Sequence, residues 1–170
     1  DPHNARAQAY REFQASMGIA LHDHAVFDAL HEHFFRIDHE LWDWHRWPEP
    51  FRNKDSEEVR QFAEKNAERV DFFVWLQWEA DNQLSAAQAK AKASGMALGL
   101  YLDIAVASHP GGSMAWSFPT AMINSVSVGA PPAEINPLGQ TWGSAAFSPR
   151  GLRASRSEEH TSELQSHLNL

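Results

Sequence analysis

Three side chains carry the chemistry that this sequence offers most openly. Asp103 stands near the end of the apolar run MALGLYLDIAV, residues 96–106. In (β/α)8 barrels a carboxylate at the C-terminal end of a strand faces the active site. An aspartate satisfied by local backbone groups would look the same in sequence, so spacing alone leaves both readings open. Gln140 and Trp142 flank a glycine corner, Gly139-Gln-Thr-Trp-Gly143. An indole face can stack on a sugar ring, and a glutamine amide both donates to and accepts from hydroxyls. Taken by themselves, these residue types favour a packed tryptophan whose neighbour is bonded to the loop backbone.

Histidines invite a metal reading that their spacing does not support. His22 and His24, like His31 and His33, are two residues apart. On a helix that spacing turns the rings to different faces, whereas a helical zinc pair needs i and i+4. Surface or capping roles are expected, with no metal and no cofactor.

Behind these residues stands a recognisable order of elements. Residues 10–17 read as a short helix ending at Gly18. Val26, Phe27, Leu30 and Phe34 repeat at helical spacing in the next. LWDWHRWPEPF, residues 41–51, is dense in aromatics and broken by Pro48 and Pro50, so it reads as a packed loop with tryptophan plugs. Ser56 is placed to cap a helix that starts EEVRQFAE. A long helix then runs from about Lys65 to Ser94, and Gly95 closes it. Its apolar face holds Val70, Phe73, Val74, Leu84, Ala87 and Ala91, widened by Trp75 and Trp78. The run 96–106, apolar on both alternating faces, suggests a parallel strand buried on both sides. From there to Pro149 no long helix or strand is evident. That stretch reads as an ordered functional loop anchored by Trp116, Phe118 and Trp142, and a further helix begins at Pro149.

Composition narrows the function classes. Hydrophobic residues make up 43% of the 170, with seven tryptophans, which is a globular balance. The net charge of -8 and scattered basic residues argue against a phosphate-backbone partner, so no nucleic acid is expected. No apolar run approaches the ~20 residues of a membrane span, and no membrane association is expected. The absence of cysteine excludes disulfides and thiol chemistry and suits a reducing compartment, hence a cytoplasmic location. From Ser155 the composition changes to SRSEEHTSELQSHLNL. The string RSEEHTSELQS looks like translated sequencing-library adapter, so residues 155–170 are read as a non-native tail.

Several separated segments resemble the amylomaltase (4-α-glucanotransferase) family, proteobacterial type. WLQWEADNQLSAAQAKAKASGMALGLYLDIAVA, residues 75–107, resembles a family helix and strand, with Asp103 at the strand end. GGSMAWSFPTAM resembles the segment with a tryptophan followed by proline, here Trp116 and Pro119. SVGAPPAEINPLGQTWG, residues 127–143, resembles the loop that lines the glucan site. LWDWHRWPEPFRNKDS resembles the proteobacterial branch. The paired corners G-A-P-P and G-Q-x-W-G at this spacing are the specific part of the signal. Departures are Ala133, Met114 and Ser144-Ala145-Ala146, where family members carry aspartate, an acidic residue, and an apolar or asparagine residue with proline. R-I-D-H at residues 36–39 resembles the family's nucleophile motif but precedes the GLYLD run, so it reads as a chance match.

The resemblance implies an α/β fold: a helix-rich fragment of a (β/α)8 TIM-type barrel of the α-amylase-like glycosidase group. Residues 1–154 would form part of the catalytic barrel. It implies a retaining transfer of α-1,4-glucan segments between maltodextrins, with the catalytic carboxylates beyond this chain and no catalytic residue within it. The partner would be maltodextrin or starch-derived α-1,4-glucan. Substrate contacts would fall on Asp103, Gln140, Trp142, Pro131 and Pro132. A non-catalytic α-glucan-binding module is the alternative. A lone parallel strand exposes two unpaired edges, so poor independent folding and aggregation are expected.

Overall fold

The computed structural model describes residues 5–103 and 108–154, and the chain divides into two compact units, residues 1–101 and 102–170. The read tail, 155–170, lies outside the described residues, as do residues 104–107 of the apolar run.

The first unit is helical. Helix α1, Ala5–Ile37, is kinked at Gly18, whose φ of 57° lies in the left-handed region that glycine enters without steric cost. The expected stop at Gly18 is thus a bend between two helical halves. After three short 3-10 turns come α2, Glu57–Lys65, and α3, Ala67–Ala93. Ser56 caps α2, its hydroxyl accepting from the Val59 N–H at 3.2 Å. Gly95, at φ 93°, closes α3, and the Met96 N–H reaches back to the Ala91 carbonyl at 3.2 Å.

The two helices meet along the buried α3 row Val70, Val74 and Trp78. The first half of α1 runs antiparallel to it. Arg6 pairs with Glu79, and Tyr10 packs against Trp78 at 5.3 Å. The Tyr10 hydroxyl donates to Asp71 Oδ1 at 2.7 Å. Past the kink, Glu32 takes a bidentate fork from Arg69, at 2.6 and 2.7 Å. That bond, chiefly, holds the Glu32 carboxyl below the usual glutamate range.

The Trp-rich segment closes this core as expected. Trp47 is fully buried, and Trp44 is buried beside it. Trp47 packs on Phe27 and Phe34 at 5.3 and 5.2 Å, and its indole N–H donates to the Leu41 carbonyl at 2.8 Å. Trp42 does not plug the core; it is 43% exposed. On α3 the expected apolar face narrows in the same way, since Trp75 and Leu84 remain exposed while Trp78 is buried.

The expected buried strand is not formed over its described part. Residues 96–103 are irregular, and Leu98 and Tyr101 are 84% and 93% exposed. A parallel strand depends on partners distant in sequence, and among the described residues none pairs with this segment. What holds it locally is Gln88 of α3, whose Oε1 accepts from the Leu100 N–H at 2.5 Å.

The second unit corrects the reading of 107–148 as a loop without strands. After the short helix α4, Ser113–Ser117, the chain forms an antiparallel hairpin of β1, Met122–Ala130, and β2, Gln140–Phe147. Helix α5, Pro149–Ala154, follows at the expected place. Trp116 anchors this unit, buried with Ala115, Ala121, Met122 and Ala145. Phe118 and Trp142, read as further anchors, are exposed. No described helix is long and apolar enough to cross a membrane.

Candidate functional site

The hairpin brings the two glycine corners face to face. Its ladder pairs Ile123 with Ala146, then Ser127 with Ala145 and Val128 with Ser144, then Gly129 with Thr141 and Ala130 with Gln140. Residues 124–126 therefore bulge from β1, and Trp142 and Gly143 bulge from β2. Bulges break the pairing and re-aim side chains. Gly143 makes this one possible with a φ of 67°.

Glycine at the other corners answers to close approach. A Cβ on Gly129 would stand 1.9 Å from the Gln140 carbonyl oxygen. One on Gly139, at φ 72°, would stand 2.8 Å from the Ala130 oxygen. The two corners thus touch through backbone, and a side chain at either glycine would push the strands apart.

Gln140 and Trp142 act as a pair. The Trp142 indole N–H donates to Gln140 Oε1 at 2.8 Å. That bond orients the amide and leaves its NH2 end as the donor. The indole is 48% exposed, so it is not the packed core tryptophan that residue type alone favours. A planar aromatic surface beside an oriented amide donor suits a neutral polyhydroxylated ligand.

Pro131 and Pro132 lead into the turn between the strands, and both are exposed. The turn is stiff without a core. Ala133 and Asn136 exchange backbone hydrogen bonds at 3.0 Å each way, and the Gly139 N–H donates to the Asn136 carbonyl at 3.1 Å. Ile135 and Leu138 stand exposed at its tip. The hairpin's base is tied to its surroundings: the Ala145 N–H donates to Ser108 at 3.1 Å, and the Ser148 N–H to Ala121 at 2.8 Å.

Four of the five residues named from sequence therefore share one hairpin. Asp103 is exposed on the irregular stretch before residue 104, and no described hydrogen bond or ion pair joins it to the other four. Sequence reading missed the hairpin and the bulge that carries Trp142. The alternation Ser125-Val126-Ser127-Val128 was the available sign of a strand. Among the described residues no cluster of His, Asp or Glu is arranged to hold a metal ion.

R-I-D-H makes local contacts. Asp38 caps the first 3-10 turn by accepting from the Glu40 N–H at 2.9 Å. Arg36 pairs with Glu32 at 2.8 Å, and His39 stacks on Phe35.

Comparison with known proteins gives the family and the fold. The family model described as 4-alpha-glucanotransferase matches residues 1–170. A 4-alpha-glucanotransferase of Mycobacterium tuberculosis is 42% identical over 147 residues, which are 86% of this chain and 20% of the relative. The crystal structure of amylomaltase from Corynebacterium glutamicum superposes with a TM-score of 0.67 at 29% identity, over 98% of this chain and 20% of that one. An amylomaltase from Streptococcus agalactiae, solved in complex with acarbose, shares the fold with a TM-score of 0.74 at 17% identity, over 96% of this chain and 33% of that one. The chain spans about a fifth of the curated relatives' length. Its described residues form a helix-rich part of the amylomaltase fold with a small antiparallel sheet, and the chain belongs to the 4-alpha-glucanotransferase (amylomaltase) family.

Proposed function

We propose that this chain is part of a cytoplasmic enzyme that transfers α-1,4-glucan segments between maltodextrins, with residues 1–154 contributing to a (β/α)8 catalytic barrel. Residues 155–170 are in this reading a non-native tail. The observation that carries the proposal is the half-exposed Trp142, held on a bulge with its indole bonded to Gln140. Trp142 supplies a stacking surface for a glucose ring, Gln140 a donor to its hydroxyls, and Pro131 and Pro132 the rim of the same subsite. In this reading Asp103 is a further contact to the same glucan.

The reaction is a retaining double displacement. A carboxylate nucleophile attacks the anomeric carbon while an acid carboxyl protonates the departing glycosidic oxygen. The covalent glucosyl-enzyme is then opened by an acceptor hydroxyl, which the same acid/base residue deprotonates. Such a pair stands ~5–5.5 Å apart. In this reading both groups come from residues outside this chain, and the present residues hold the glucan.

Two measurements test it. Incubated with maltotriose, the 170-residue chain releases no glucose and forms no longer maltodextrins. Sequencing the source DNA past codon 154 finds a continuing frame with an R-x-D strand and further strand-end acids. Glucose release by the chain, or a native template that ends with residues 155–170, would overturn the proposal.

A further inference from the structure

We propose that Gln88 is a strap whose side-chain amide occupies, on residues 98–100, the bonding edge that a parallel β-strand would take. The segment then exchanges between this strapped form and an extended form that accepts such a strand. In a parallel pair, one residue donates its N–H to the carbonyl before the facing residue and accepts from the N–H after it. The Gln88 amide does the same around Gly99. Its Nε2 donates to the Leu98 carbonyl at 3.3 Å, and its Oε1 accepts from the Leu100 N–H at 2.5 Å. Donor and acceptor thus flank one residue, as they would from one residue of a neighbouring strand.

Gly99 is what allows both forms. Its φ of 77° lies outside the extended range, in a region that glycine enters without steric cost. It is buried, although Leu98 and Tyr101 nearby are largely exposed. A Cβ on Gly99 would collide with the Gln88 amide. Any other residue here would expel the amide and favour negative φ, so strap and glycine require each other. Among the described residues no other hydrogen bond reaches 97–101, so leaving the strapped form breaks only these two. On the other side of the balance stands the apolar pattern of 96–106, which an extended strand would bury on both faces. An open strand edge pairs with other chains, and the strap covers one edge until a neighbour takes its place. That the neighbour is another strand of a catalytic barrel rests on the function proposed above.

Amide hydrogen exchange of the isotope-labelled 170-residue chain, read by NMR at Leu100, tests the strap. The Leu100 N–H is protected in the wild type, and Gln88→Ala speeds its exchange about tenfold or more. Gly99→Ala does the same by displacing the amide, and combining the two substitutions adds nothing further. The amides of Val74 and Trp78 in α3 keep their wild-type protection, which separates a lost strap from a lost fold. The released edge is read by thioflavin T as concentration-dependent association, faster for both single variants than for the wild type. Leu100 exchange that is indifferent to Gln88→Ala overturns the proposal, and so does released exchange without faster association. Both readouts are made without glucan. Glucose release by the chain, or a native template that ends with residues 155–170, would therefore overturn the function proposed above and leave the strap in place.

Discussion

Replacing Trp47 probes whether the helical unit holds a core of its own. Its ring is fully buried against Phe27 and Phe34. Its indole N–H satisfies the Leu41 carbonyl, and its own carbonyl accepts from Arg52 Nε at 2.6 Å. One residue thus pins the proline-broken segment onto the second half of α1. Truncation to alanine removes the ring contacts and leaves a cavity, a loss of about 3–5 kcal/mol. Phenylalanine keeps much of the apolar area but leaves the Leu41 carbonyl without its donor, a loss of about 1–3 kcal/mol. Small domains have about 5–15 kcal/mol in total, so the alanine variant should sit near the edge of folding. Urea unfolding of the 170-residue chain, followed by far-UV circular dichroism, reads both variants. The sequence alone suggests an aggregation-prone product, whereas the interleaved aromatic core predicts a cooperative transition from residues 1–101. Equal midpoints for wild type and Trp47→Ala, or a wild-type chain with no cooperative transition, would refute the reasoning.

Other expectations follow from single contacts. Glu32 has its carboxyl lowered by Arg69, so its contribution to stability is present above the ordinary glutamate value, about 4.3, and is lost as pH falls through the lowered one. Glu32→Gln should flatten the acid limb of a stability–pH profile, and a limb of unchanged slope refutes that linkage. Ser56→Ala removes the α2 cap at a cost of about 1 kcal/mol, measurable as a lower urea midpoint; an unchanged midpoint counts against the cap. Gly129→Ala forces a methyl group against the Gln140 carbonyl and should open the hairpin to limited proteolysis between residues 130 and 140. Gly143→Ala meets no atom within 4 Å and suffers only the positive-φ penalty, about 1–2 kcal/mol, so it should be cut more slowly. Equal cleavage of the two variants would show that strand approach does not govern the hairpin.

Sequence reading succeeded where structure is decided within a few residues. Ser56 and Gly95 marked a start and a stop because capping and positive φ are local properties, whereas Gly18, read as a stop, is a bend inside α1. Trp47 was legible as a plug because prolines on both sides of Glu49 leave little room for a continuous helix. The run at 96–106 was misread in its described part for the opposite reason. Its apolar pattern states what it would bury, but a parallel strand exists only with partners far away in sequence. Trp142 was legible as a residue type and not as a geometry. Its exposure belongs to the whole outer end of β2, where Gln140 to Gly143 are all exposed, and that end exists only once the hairpin has paired.

The glycine corners show why a hairpin hidden in a Pro- and Gly-rich stretch can still be specified locally. Gly129 admits the Gln140 carbonyl, Gly139 turns the chain beside the Ala130 carbonyl, and Gly143 lets Trp142 leave the ladder. Each glycine answers a different requirement, and all three act within the same short ribbon. The backbone bonds between Ala133 and Asn136 stiffen the turn without any buried side chain. Such a ribbon can therefore present exposed side chains at fixed positions while taking little stability from the core at its base. Binding groups displayed in this way can change without unsettling the fold. The departures at Ala133 and Ser144 lie in the turn and next to the Trp142 bulge, and both positions are at least partly exposed. They are expected to alter which groups the hairpin displays rather than the hairpin itself.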